Sequence, residues 1–246
     1  MSRLLRVEFR RFAARRLVRI TTLFALGGIA FGTFIAYTNH FRLVSMADVP
    51  LGTAFPLVVI GWLLGASFIG AEWHAGTVTT LLTWEPRRVR VVLAKAIVGI
   101  VAVFALTLAL QVVLTACLAL AASLNGSTTG AEGWLTETGA VAVRVSLLAA
   151  LAGAIGFAFA AVGRNTAAAL GVGFAYVVVV ENLVRGLRPE WSRWLFGENA
   201  GLFLLGPSND FPYLQRSQLG AGIYLTLLSA ILVGAATLVF RTRDVN

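Results

Sequence analysis

Residues 91–123 read VVLAKAIVGIVAVFALTLALQVVLTACLALAAS, 33 residues whose single charge is Lys95, near the start. Crossing the ~30 Å hydrocarbon core of a bilayer takes roughly 20 residues of helix, so this stretch is long enough to span. A helix is also the form that satisfies every backbone N–H and C=O within one segment, which hydrocarbon requires. Five further stretches have the same character: 18–38, 54–71, 141–162, 166–184 and 219–240. Together they predict an all-α polytopic membrane protein with six transmembrane helices, the chain 1–246 forming one transmembrane domain. Composition agrees: 58% of residues are hydrophobic, 13% are charged and the mean hydropathy is +0.84. A soluble domain carries about a quarter charged residues.

A cleaved signal peptide is the alternative for the first span. Arg3, Arg6, Arg10, Arg11, Arg15, Arg16 and Arg19 make a leading region too long for one, and no small-x-small site follows Tyr37. The span is expected to be permanent. Cytoplasmic segments of membrane proteins hold the excess of Lys and Arg. With the amino terminus inside, the inner segments hold those seven Arg, then Arg87, Arg88, Arg90 and Lys95 after the second span. Arg164 follows the fourth span and Arg241 and Arg243 lie at the end, which makes fourteen of the twenty basic residues. Six spans return the carboxyl end to the same side, so both termini are expected in the cytoplasm. Nineteen Arg against one Lys, with abundant Ala, Gly and Val, point to a GC-rich bacterial genome, so the membrane is expected to be a bacterial inner membrane. The net charge of +9 is thus a topology signal. Its Arg residues border apolar spans without a nucleic-acid-binding signature, and no nucleic acid partner is expected. Cys117 is the only cysteine, which excludes an internal disulfide and a multi-cysteine metal site.

Residues 1–17 predict an amphipathic interfacial helix. Leu5, Phe9 and Phe12 recur at helical spacing to face acyl chains, and Arg3, Arg6 and Arg10 project toward anionic headgroups, so membrane lipids are expected partners. The loop 39–53 is short, and 124–140, with Asn125-Gly126-Ser127-Thr128-Thr129-Gly130, reads as a solvated connector. Residues 185–218 differ. Trp191, Trp194, Leu195, Phe196, Leu202, Phe203, Leu204 and Leu205 form apolar pieces broken by Gly197, Gly201, Gly206-Pro207 and Phe211-Pro212. These pieces are too short to span and are expected to form interfacial or re-entrant short helices with Trp at headgroup depth. Gly163-Arg164-Asn165 reads as a tight hairpin. The pairs Gly28/Gly32 and Gly61/Gly65 would let helices approach closely.

The cytoplasmic loop 72–90 has a shape of its own. Gly76 offers a break and Thr77 a helix cap, starting a short helix from Val78 to Trp84. Pro86 stops that helix, and Arg87-Arg88-Val89-Arg90 leads back into the membrane. Leu81, Leu82 and Trp84 are then available to a partner, whereas a plain solvated loop rarely displays Leu-Leu-Thr-Trp between charges. Glu72 and His74 stand about 200° apart around a helix, and the chain has only two His, so no metal site is expected. No Gly-x4-Gly-Lys-Ser/Thr loop occurs, and the chain itself is not expected to bind nucleotide. Within the spans, Thr107, Gln111 and Thr115 form one polar stripe, serving either interhelical hydrogen bonds or the lining of a substrate path. Glu181 is the only acidic residue well inside an apolar run. Arg185 at i+4 suits a local ion pair, and the alternative is a substrate or proton-coupling role.

Glu72, Gly76, Thr77, Leu81, Leu82, Thr83, Pro86, Arg88 and Lys95 fall in the pattern Glu-x3-Gly-Thr-x3-Leu-Leu-Thr-x2-Pro-x-Arg with a Lys beyond. With the basic amphipathic start, six spans and a hydrophobic segment before the sixth, this resembles the permease subunits of type-2 ABC transporters. Arg87 stands where that family usually has a small polar residue, and Trp84-Glu85 is individual to this chain. The resemblance implies a non-catalytic transmembrane subunit of an ATP-driven exporter, paired with a second copy or a paralogue. It also implies a separate cytoplasmic ATPase that binds ATP and Mg, and no cofactor in this chain. The loop between the second and third spans would be the coupling helix. Glu72, Gly76, Thr77, Leu81, Leu82, Pro86, Arg87, Arg88 and Lys95 would then carry ATPase coupling, and the amino-terminal helix would help seat the ATPase. Substrates of the family include lipids, antibiotics, peptides and ions. The scarcity of mid-membrane charge favours an amphipathic cargo. Two rivals stand beside this reading. A secondary transporter driven by an ion gradient calls for broken helices and an ionisable residue at the midplane; a non-transporting scaffold or regulatory subunit would use the same loop only as a tether.

Overall fold

The computed structural model describes residues 2–38, 48–76, 87–125, 133–208 and 212–242. In chain order their elements are α1 (Ser2–Ala13), α2 (Arg16–Thr38), α3 (Asp48–Gly52), α4 (Ala54–His74), α5 (Arg88–Leu124) and α6 (Trp134–Gly163). Then follow α7 (Thr166–Ala175), a π-helical turn (Tyr176–Val180), α8 (Glu181–Leu187), a 3-10 helix (Pro189–Trp194), α9 (Phe196–Leu205) and α10 (Gln218–Thr242). Among the described residues six helices are long and apolar enough to cross a membrane: α2, α4, α5, α6, the compound helix α7–α8, and α10. The chain is an all-α polytopic membrane protein, and each of the six expected spans falls within one of these helices.

The helices overrun the expected boundaries, because hydropathy marks the part of a helix in hydrocarbon while backbone hydrogen bonding continues past it. Residues 134–140 of the expected connector are the first turns of α6, and 48–52 of the expected loop 39–53 form α3, with Val49 and Pro50 buried. Residues 72–74 and 88–90 of the loop 72–90 complete α4 and begin α5. At 1.5 Å per residue α5 is about 55 Å long, so it either projects beyond a bilayer or crosses it at a tilt.

The fourth span, α6, is the centre of the bundle, buried along most of its length and packed against α4, α5 and α10. α4 and α6 run parallel with their backbones in contact: a Cβ on Gly61 or Gly65 would collide with the carbonyl of Ala149 or Gly153. Lipid tails are as apolar as Leu, so helix association in a membrane rests on such close approach and the dispersion contacts it permits. Of the two glycine pairs offered by the sequence, Gly61/Gly65 makes this contact, and Gly28 and Gly32 face open space. The first and fifth spans are peripheral; α2 has no buried residue, and α7 buries only Ala169 and Gly173.

Two ends of the bundle follow from the helix directions. The end carrying α1, the start of α5 and the end of α10 is rich in Arg and is called the basic end here. At that end Arg164 adopts a left-handed conformation (φ 52°) and Asn165 Oδ1 accepts the Ala167 N–H at 2.8 Å, forming the tight hairpin into α7. At the far end α9 lays Ala200, Leu202 and Phe203 onto Leu148 and Leu151 of α6 and Ala221 and Leu225 of α10. Trp191 and Trp194 beside it are exposed.

Candidate functional site

α1 does not present the single apolar stripe expected of it. Phe12 is buried, with its ring edge-on to Phe68 of α4 at 5.1 Å between centroids, and Leu5 packs on the same core. Phe9, by contrast, is 49% exposed. The expectation that Leu5, Phe9 and Phe12 together face acyl chains is therefore corrected, and Glu8 is the reason. It lies one turn before Phe12 and shares its face. Its carboxylate is fully buried, and a buried charge must be paired.

Lys95, two turns into α5 and 2% exposed, supplies the pairing. Its Nζ stands 2.5 Å from Glu8 Oε2 and 2.8 Å from Glu72 Oε1, and 5.0 Å from the centre of the Phe68 ring. Arg15, at the break between α1 and α2, reaches the same place from the other side. Its Nη1 donates to the Ser67 carbonyl at 2.6 Å and its Nη2 to the Phe68 carbonyl at 2.8 Å, with Glu72 Oε1 at 3.4 Å. Its guanidinium also stands 4.9 Å from the Phe68 ring, so that ring is shared by two cations. Arg11 closes the group, its Nη1 3.0 Å from Glu8 Oε1. Burial pulls the Arg15 guanidinium below its ordinary value, and Glu72 and Glu8 oppose the shift. An arginine starts so high that it stays charged. Three cations and two carboxylates thus fasten α1, the start of α2, the end of α4 and the start of α5 at one point.

The end of α4 has a second set of contacts. Trp73 meets Phe240 of α10 edge-on at 5.6 Å, and the Arg164 guanidinium lies 4.7 Å from the Trp73 ring. Gly76 then ends the helix in the left-handed conformation (φ 65°), which glycine adopts without steric cost. Among the described residues the last turns of α4 therefore meet α1, the break before α2, α5, the hairpin after α6 and α10.

Of the residues expected to carry coupling, Glu72 and Lys95 are joined directly, Gly76 terminates α4, Arg87 is exposed before α5, and Arg88 opens α5. Thr77, Leu81, Leu82 and Pro86, and with them the helix expected from Val78 to Trp84, lie outside the described residues. Among the candidates for a substrate path, Thr107 is fully buried and its hydroxyl donates to the Val103 carbonyl at 2.8 Å. Gln111 Nε2 donates to Thr53 Oγ1 at 2.9 Å and to the Pro50 carbonyl at 3.3 Å, bracing the third span against the α3–α4 junction. Thr115 is partly buried on the same line. Glu181 lies at the far end, where its Oε1 accepts the Gly197 N–H at 2.8 Å and its Oε2 is 3.1 Å from Arg185 Nη2. Arg185 in turn holds Glu198 Oε1 at 2.6 Å.

Glu8 and Arg15 are functional candidates that apolar periodicity passes over. The available signal is that Glu8 is the only acidic residue among the first 47, set within seven Arg. No protein-family model matches the chain, and no curated protein matches it. The bundle itself establishes a six-span α-helical membrane protein.

Proposed function

We propose that this chain is the permease subunit of an ATP-driven exporter of the type-2 ABC kind, its basic end in the cytoplasm and a separate ATPase docked on residues 77–86. One observation carries the reading. Glu72 and Lys95, which flank that segment on both sides, are bonded to each other and to Glu8 and Arg15 in a buried cluster. A segment that only connected two spans has no need of four elements fastened at its root. A segment that receives a push does, because force applied there reaches α1, α2, α4 and α5 together, and reaches α10 through Trp73 and Phe240. The Arg content of the basic end supports the cytoplasmic orientation.

The mechanism follows from linkage. An ATPase that changes shape on binding ATP moves the bundle only if it engages two arrangements of this surface with different affinity. The ion cluster joins the residues that flank 77–86 to α1, α4 and α5 as one mechanical unit, so a changed grip on that segment becomes a changed tilt of α4 and α5. In this reading the chain is no enzyme: ATP and Mg belong to the partner, and a second copy or a paralogue completes the pathway for an amphipathic cargo in a bacterial inner membrane. The test is co-purification with the candidate ATPase, comparing the parent with the Leu81→Ser/Leu82→Ser and Glu72→Gln variants. Association is expected to fall in the first and stimulated ATP turnover in both. If association and turnover stay at parental levels, the docking assignment is wrong.

A further inference from the structure

The fifth span is interrupted at Tyr176–Val180, where the Glu181 N–H donates to the Tyr176 carbonyl five residues back instead of four. An α-helix turns about 100° per residue, so positions five apart point about 140° away from one another. A hydrogen bond closed over five residues brings them near a common line. Tyr176 and Glu181 are five apart, and both meet one target. The Phe196 N–H donates to the Tyr176 hydroxyl at 3.2 Å, and the Gly197 N–H donates to Glu181 Oε1 at 2.8 Å.

Those two donors belong to the first turn of α9, whose N–H groups have no acceptor within their own helix. The carboxylate is also placed at the positive end of the α9 dipole. The approach is close: a Cβ on Gly197 would meet Glu181 Oε2 and push the carboxylate tip aside. On the sixth-span side α9 and the turn before it are held separately: Tyr224 Oη donates to the Trp194 carbonyl at 2.8 Å, Arg216 Nη1 to Asn199 Oδ1 at 3.0 Å, and Gln218 Nε2 to the Phe203 carbonyl at 3.0 Å. α9 is thus strapped between the fifth and sixth spans over the apolar surface of Leu148, Leu151 and Leu225.

We propose that the π-helical turn is a register latch for α9. With the turn in place, Tyr176 and Glu181 cap α9 together. When the fifth span relaxes to continuous α register, everything beyond the turn rotates about 100°, Glu181 leaves the α9 N-terminus, and α9 swings on its sixth-span ties away from the surface it covers. π-turns are rare and need a compensating gain, which the two capping bonds supply. The latch lies at the opposite end of the bundle from the ion cluster and does not depend on what energises the chain.

The test uses the full chain in lipid nanodiscs with Cys117→Ala and a reporter Ala200→Cys, a position on the buried face of α9. The readout is the rate of labelling by a water-soluble maleimide. The length-preserving pair Tyr176→Phe/Glu181→Ala, which removes both acceptors, is expected to raise the rate at least fivefold, with Val178→Ala leaving it at the parental value. A rise below fivefold in a pair variant that elutes as the parent does overturns the latch.

Discussion

Lys95 lies in a run of Val, Ala and Ile, yet its ammonium has two carboxylates, at 2.5 and 2.8 Å, and an aromatic face. A buried charge that loses its partner costs about 3–5 kcal/mol, whereas replacing a whole buried pair with apolar groups is often close to neutral. Lys95→Met strands Glu8 with only the half-exposed Arg11 for company, and is expected to lower stability by an amount in that range. Combining it with Glu8→Leu is expected to recover most of the loss, because Glu72 keeps Arg15. Reversible unfolding of the purified protein in mixed micelles measures both, and purely additive single losses would show that Glu8 and Lys95 are not coupled. At this scale the sequence was half legible. Glu72 and Lys95 stand out because they interrupt or flank apolar runs, but nothing in local spacing reveals that Glu8, 87 positions before Lys95, is the acid that pairs with it. Arg15 was hidden differently: among seven Arg that all serve the charge asymmetry, the one that turns inward to the α4 carbonyls looks like the rest.

The second and fourth spans show what an element can and cannot announce. Each reads as a helix at once from length and hydropathy, but their contact depends on Gly61 and Gly65, and the same spacing at Gly28 and Gly32 meets nothing. Gly65→Val should force α4 and α6 apart, with an overpacking cost of about 1–3 kcal/mol or more, while Gly28→Val should leave the folded monomer intact. Folded yield and thermal midpoint of the two variants in the same detergent distinguish them; equal behaviour would mean that the α4–α6 contact is looser than the structure has it. The π-turn was not legible at all. Tyr176 to Val180 are aromatic and β-branched residues that suit a membrane α-helix, and the extra residue is tolerated because of two N–H donors in a helix some twenty positions later. α9 was legible as an apolar piece too short to span, but the face it buries was not, since the partners are Leu and Ala like every other surface in the bundle.

For the whole molecule, six spans could be read directly because hydrocarbon thickness fixes the length of every crossing. Their arrangement could not, because residues facing lipid and residues facing other helices are apolar alike; this is why the centrality of α6 and the peripheral place of α2 emerge only from the fold. Charge supplies the remaining large-scale information. With six crossings the two termini share a side, and the Arg-rich side is expected to be cytoplasmic. Single cysteines at Ser2 and Thr242 in a Cys117→Ala background should therefore resist an impermeant maleimide on intact cells and react once the membrane is opened. A cysteine replacing Asn125, at the end of α5 where its amide donates to the Tyr37 carbonyl, should react from outside without opening. Labelling of Thr242→Cys on intact cells with Ser2→Cys protected would break the six-span topology, since an odd number of crossings is what separates the two termini. Labelling of both termini with protection at Asn125 would keep six spans but invert the chain, placing Glu8, Lys95 and the segment 77–86 beyond the reach of any cytoplasmic ATPase.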